Sequence, residues 1–321
     1  MSIARILQQA AGAGTSLDIA DAFSTDLYTG NGSTQTITNG IDLAGEGGLV
    51  WIKPRNVTAS HYLYNTVLGN TSLLRSDRTD AESDGSAFLT GFNSDGFDLA
   101  SELSLSSRTY AAWTFRKAPK FFDVVTYTGD STAGRTVAHN LGIEPGMIVV
   151  KRLDGTNSWE VSHRSIPITQ KLLLNSSNGV GAGADITGRS DTDFTLSLSF
   201  ATNGSGSDYV AYLFAHDTED DGVIQCGSYT GTGSALSINL GWEPQWVLIK
   251  RTDNNGSWYI FPSNGDFSGA EGRLSPNLAN AESSLNVIES TSTGFDIVQF
   301  DGAWNTSSGE YIYVAIRAEG A

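Results

Sequence analysis

The sequence predicts an all-β protein: three tandem antiparallel β-sandwich repeats, jelly-roll-like, preceded by a short N-terminal helix or arm. Three observations carry this. First, Tyr28-Thr29-Gly30 returns as Tyr127-Thr128-Gly129 and Tyr229-Thr230-Gly231, at spacings of 99 and 102 residues. Second, other marks keep that period and order. An apolar run ending in lysine occurs at 49–53, 147–151 and 246–250, and Gly96-Phe97-Asp98-Leu99 has counterparts at 193–196 and 294–297. Third, the runs alternate with period two, are rich in β-branched and aromatic residues, and are punctuated by Gly, Asn, Asp and Ser.

The head, residues 1–22, differs from the rest. Ser2 is a suitable N-cap, and Ile3, Ile6, Leu7 and Ala10 share one helical face before Gly12 and Gly14 stop the pattern. A helix of about ten residues is marginal alone, so the head is read as an attachment segment that lies on another surface. It has the features of neither a secretion signal nor a membrane span.

Repeat one covers 23–118, repeat two 121–217 and repeat three 223–321. Each is domain-sized. The joints, 117–120 and 217–222, are short, so neighbouring repeats should touch and hold a fixed relation. Asn140-Leu141-Gly142-Ile143-Glu144-Pro145-Gly146 and Asn239-Leu240-Gly241-Trp242-Glu243-Pro244-Gln245 read as tight turns aimed into a strand. Large residues on both faces of 209–214 predict a closing strand covered on both sides. Lys53, Lys151 and Lys250 end equivalent strands, and their amines are expected near water or a carboxylate.

The formal charge is -16, from 35 acidic and 19 basic residues. Such a surface repels nucleic acid and anionic membranes, so neither is an expected partner. The single cysteine, Cys226, lies in an alternating run and reads as a small core residue.

Chemistry-bearing motifs are sparse. His61, His139, His163 and His216 show no metal-ligand spacing. His163 falls near the place of His61, where repeat three has Phe261-Pro262. No nucleophile elbow or phosphate-binding loop is present. Asp95 with Asp98, and Asp191 with Asp193, read as turn residues rather than a glycosidase pair. Loops 154–158 and 253–257 are oxygen-rich, which leaves Ca²⁺ as the one ion to consider; no cofactor is expected. Of the tryptophans, Trp242 and Trp304 sit in polar, turn-like surroundings and are the candidates for exposed contact with sugars.

The unit therefore runs from Tyr-Thr-Gly through the lysine-ended strand at 49–53, an aromatic strand at 61–65, a short strand at 72–76 and the mark at 96–99, to a closing strand at 110–117. This resembles a repeat domain of unknown function found in virion proteins of tailed bacteriophages, especially marine ones. The opening Arg5-Ile6-Leu7-Gln8-Gln9-Ala10-Ala11-Gly12 is similar to the N-terminus of such proteins. The resemblance implies a non-enzymatic structural protein of the phage particle, assembled in the host cytoplasm. A tail fibre, tip or hub-associated component is the first expectation, and a head decoration or capsid fibre the alternative. A carbohydrate-binding or glycan-cleaving module is a further alternative. Expected partners are other virion proteins, further copies of the chain and a host glycan or receptor. Ile3, Ile6, Leu7, Trp242 and Trp304 are the interaction candidates.

Overall fold

The computed structural model describes residues 16–262 and 272–321. The proposed helical face of Ile3, Ile6 and Leu7 lies outside the described residues. The chain is nearly all β, built from several antiparallel sheets. Helix among the described residues is limited to 3-10 turns at Ile19–Asp21 and Ser101–Leu103 and one α-turn at Phe200–Asn203.

In segment 23–118 the larger sheet has the order Phe23–Thr29, Thr109–Arg116, Gly48–Pro54, Tyr62–Asn65. In 121–217 it runs Phe122–Thr128, Asp208–Ala215, Pro145–Arg152, Glu160–His163, and continues through Gln170–Leu173 to Gly181–Ala182. In 223–321 it runs Ile224–Thr230, Glu310–Arg317, Pro244–Arg251, Trp258–Pro262. Each segment adds a three-stranded sheet centred on Gly96–Leu99, Asp193–Leu196 or Gly294–Ile297. The first strand of every larger sheet thus pairs with the last, a non-local closure.

Period-two geometry sends neighbouring side chains to opposite faces, and the larger sheets bury both. In the first segment, Val50, Ile52, Tyr110 and Ala112 pack with Ile37, Phe97 and Leu99 of the smaller sheet. In the third, Val247, Ile249, Tyr311 and Ala315 pack with Phe295 and Ile297. The opposite faces meet in one core that draws on all three segments. It contains Leu49, Trp51, Trp113 and Phe115, then Val149, Tyr212 and Phe214, then Trp246, Leu248, Val314 and Ile316. Phe115 lies 5.6 Å from Phe214 and 5.8 Å from Trp246, edge to face with both, so the first segment touches the other two at this ring. Burial of both faces explains why the strand at 209–214 carries large residues throughout. Each such side chain contributes roughly 1.5–3 kcal/mol on burial.

The segments also bond in sequence, and the last returns to the first. Glu82 N–H donates to Leu153 O at 2.8 Å, Val180 N–H to Thr252 O at 2.8 Å, and Glu282 N–H to Arg55 O at 2.7 Å. Asn157 to Thr79, Gly256 to Ser177 and Ala59 to Ala279 repeat a second bond at 2.8, 2.7 and 2.8 Å. The described chain therefore closes on itself.

Candidate functional site

The Tyr-Thr-Gly mark fastens a loop. Tyr28, Tyr127 and Tyr229 stack on Tyr110, Tyr209 and Tyr311 at 4.8, 5.2 and 4.8 Å. The first tyrosine of each pair donates its hydroxyl to Leu103 O, Thr202 O or Trp304 O. The hydroxyl of the second accepts from the N–H of Leu105, Gly204 or Thr306. The glycine follows because a Cβ on Gly30, Gly129 or Gly231 would overlap the carbonyl oxygen of Leu105, Gly204 or Thr306. The turns before the lysine-ended strands likewise need glycine: Gly142 and Gly241 have φ of 69° and 85°.

The three lysines differ from expectation. Lys53, Lys151 and Lys250 are fully buried, and their amines hydrogen-bond backbone carbonyls, while carboxylates such as Asp77 and Asp253 act on them only through their charge. Lys53 Nζ donates to Pro54 O at 2.7 Å. Lys151 Nζ donates to Asn157 O and, across the junction, to Thr79 O at 3.1 Å. Lys250 Nζ donates to Arg251 O, Gly256 O and, across the next junction, Ser177 O at 3.3 Å. The strand ends point into the contacts between segments, and there the stems cover the core while loop carbonyls solvate the charge. Burial pushes all three down to about 8.

The histidines are built into the fold. His61 Nδ1 accepts from Trp51 Nε1 at 3.0 Å, and burial holds it neutral. His163 Nε2 donates to Tyr313 O, joining second and third segments, and burial pushes it down to about 3. The two are not equivalent. Strand register places His163 opposite Met147, as Asn65 lies opposite Leu49 and Pro262 opposite Trp246. His61, one residue before Tyr62 at the Ile52 position, matches Trp159 and Trp258 instead. His216, lowered to about 4 by burial, accepts from Cys226 N–H, and Cys226 is a buried core residue.

Trp242 and Trp304 are not exposed. They retain 4% and 1% of their surface and belong to the third segment's core with Phe295. Their polar neighbours are turn residues that fold back and turn the indoles inward. Tyr259 lies 3.9 Å from Trp304 and the Arg273 guanidinium 5.0 Å from it. In the loops considered for Ca²⁺, Asp154 is held by Arg152 at 2.6 and 3.3 Å, and Asp253 by Arg251 at 2.8 and 3.0 Å. In each loop a guanidinium thus pairs with the single carboxylate present.

The junction of first and second segments opens into a cleft of about 660 Å³. Leu68 and Glu82 line it from one side, and Thr126, Thr128, Asp154 and Asp208 from the other. Asp208 accepts from Thr128 Oγ1 at 2.7 Å. Arg152, the partner of the lining Asp154, lies over the exposed ring of Phe200 at 4.1 Å. Glu82 and Asp208 are far apart in sequence, and no local motif announced their meeting.

A single family model, for a domain of unknown function, spans residues 18–320. The chain belongs to the DUF7483 family. That match takes in all three segments and both joints. No curated protein matches the sequence.

Within this DUF7483 chain the second segment holds one further polar cluster that the sequence did not reveal. Lys171 Nζ binds Glu160 at 3.0 Å and Asp185 at 2.6 Å. Both acids are buried, and burial, reinforced by the Asp185 charge, raises Glu160 above the usual carboxylate range. The cluster ties the strands Glu160–His163 and Gln170–Leu173 to the bend at Asp185 that precedes Ile186–Arg189.

Proposed function

We propose that this chain is a non-enzymatic structural component of a bacteriophage particle, built as three copies of one two-sheet unit around a pseudo-threefold axis. The observation that carries this reading is the closed circuit of contacts. Equivalent backbone bonds join first to second, second to third and third to first segment, around a core that all three supply. A closed body with its lysines and histidines engaged in internal bonds suits a load-bearing part. The resemblance of the repeat to virion proteins supplies the particle, and a tail fibre, tip or hub-associated position is the first assignment. In this reading residues 1–22 attach the body to other virion proteins or to further copies of the chain.

Mass spectrometry and immunogold labelling of purified virions test it. Label on the tail is the expected result. Label on the head selects decoration instead, and absence from the particle overturns the proposal. Deleting residues 2–14 should leave the β fold and its melting intact while abolishing incorporation.

A further inference from the structure

Positions 82 and 282 occupy the same place in two different junctions. Each donates its backbone N–H across to the next segment, Glu82 to Leu153 O and Glu282 to Arg55 O. Both carry glutamate. Their surroundings then diverge. At the third-to-first junction the accepting residue is Arg55, and its guanidinium grips Glu282 with two bonds of 2.9 and 2.8 Å. At the first-to-second junction the accepting residue is Leu153, which is buried and uncharged. Glu82 accepts there from Ser72 Oγ at 2.7 Å, and among the described residues no basic side chain forms an ion pair with it. In place of the arginine beside Glu282, Glu82 has Leu153, and both residues line the cleft.

The cleft's chemistry fits the same occupant. Its lining includes three acids, Glu82, Asp154 and Asp208, and no base. Asp154 is already paired with Arg152, so Glu82 and Asp208 remain to receive a cation. Thr126 and Thr128 add hydroxyls. A volume of about 660 Å³ admits a long side chain with its flanking backbone. The chain's charge of -16 favours approach of a basic surface.

We propose that this cleft receives an arginine side chain of a partner protein, whose guanidinium pairs with Glu82 as Arg55 pairs with Glu282. The inference does not depend on where the protein resides. A planar guanidinium matches a carboxylate bidentately, which a lysine ammonium does not. The molecule thus keeps the acidic half of a junction contact and leaves the basic half to be supplied from outside.

The test is a titration of the full-length ¹⁵N-labelled protein with the peptide acetyl-Gly-Arg-Gly-amide, followed by amide chemical shifts. Shifts should concentrate at 82, 126, 128 and 208, and exceed those given by the same peptide with citrulline for arginine. Glu82→Gln keeps the backbone bond to Leu153 and should weaken binding about tenfold or more. Leu153→Arg supplies an internal guanidinium and should block the peptide. If Leu153→Arg fails to fold, Glu82→Gln decides alone. Equal binding by Glu82→Gln, no arginine-dependent shift, or a response at these residues to methyl glucoside in place of the peptide each overturns the proposal.

Discussion

Arg55 and Glu282 stand 227 positions apart and hold each other by two parallel hydrogen bonds of 2.9 and 2.8 Å. They lie at the one junction in the circuit that the backbone does not cross. The other two junctions are tethered by short joints, so their loops are already near one another. The third-to-first junction must be closed by backbone bonds, side chains and the shared core, with no short covalent joint to offset the entropy of a long loop.

A double-mutant cycle on this pair should therefore show coupling. With Arg55→Ala and Glu282→Ala measured by urea unfolding, the pair is partly shielded from solvent and should couple by about 1 kcal/mol. Additive single effects would show that this side-chain pair does not hold the seam.

The common core predicts one cooperative unit. Trp246 belongs to the third segment yet packs against Phe23 and Phe115 of the first. Trp246→Ala should cost about 3–5 kcal/mol and shift a single transition seen alike by near- and far-ultraviolet circular dichroism. Fragment 121–217 expressed alone should not fold. Stepwise melting of three segments would contradict this.

The buried lysines set a pH dependence. An unfolded lysine titrates near about 10.4, whereas Lys53, Lys151 and Lys250 are held down to about 8. Between these values the unfolded chain binds more protons, so stability rises with pH. The tyrosines act above that window. Tyr313 is pushed up to about 12, so above about pH 10 unfolded phenols ionise first and stability falls. Urea midpoints should increase from pH 7.5 to 9.5, and Lys250→Met should reduce the increase. A flat or falling profile over that range would count against buried ammonium groups.

Trp304 and Phe200 should respond in opposite ways. Trp304 is core, and Trp304→Ala should cost about 3–5 kcal/mol. Phe200 is 64% exposed, and Phe200→Ala should change stability by about 0.5 kcal/mol. Thermal melts of the two variants decide it, and equal losses would mean that Phe200 is held by more than Arg152.

The all-β character and the marked strands, such as 49–53, 96–99 and 110–117, were legible because period-two alternation and the recurring marks are local signals, whereas the order of strands in each sheet is set by non-local pairing. The tight turns at Gly142 and Gly241 were legible for the same reason. The surroundings of Trp242 and Trp304 misled because polar turn residues say where the backbone bends and nothing of which way the indole then points. His61 and His163 looked alike by spacing, but register is fixed by pairing partners such as Met147 and Leu49. The lysine amines and the Glu82 cleft lie between segments, where contacts join residues that no sequence window contains.

Residues Ser16, Leu17, Asp18 and Ile19 line the same hollow as Arg317, Ala318, Gly320 and Ala321. The two described ends of the chain are neighbours in space. Splicing 321 to 16 and cutting within 118–120 would give a permuted gene whose product retains the same circuit of contacts. The seam would then move to the junction of Glu82 and Leu153, where among the described residues no basic side chain pairs with Glu82. Which segment counts as first is thus a property of the message being read, and the folded body has no beginning.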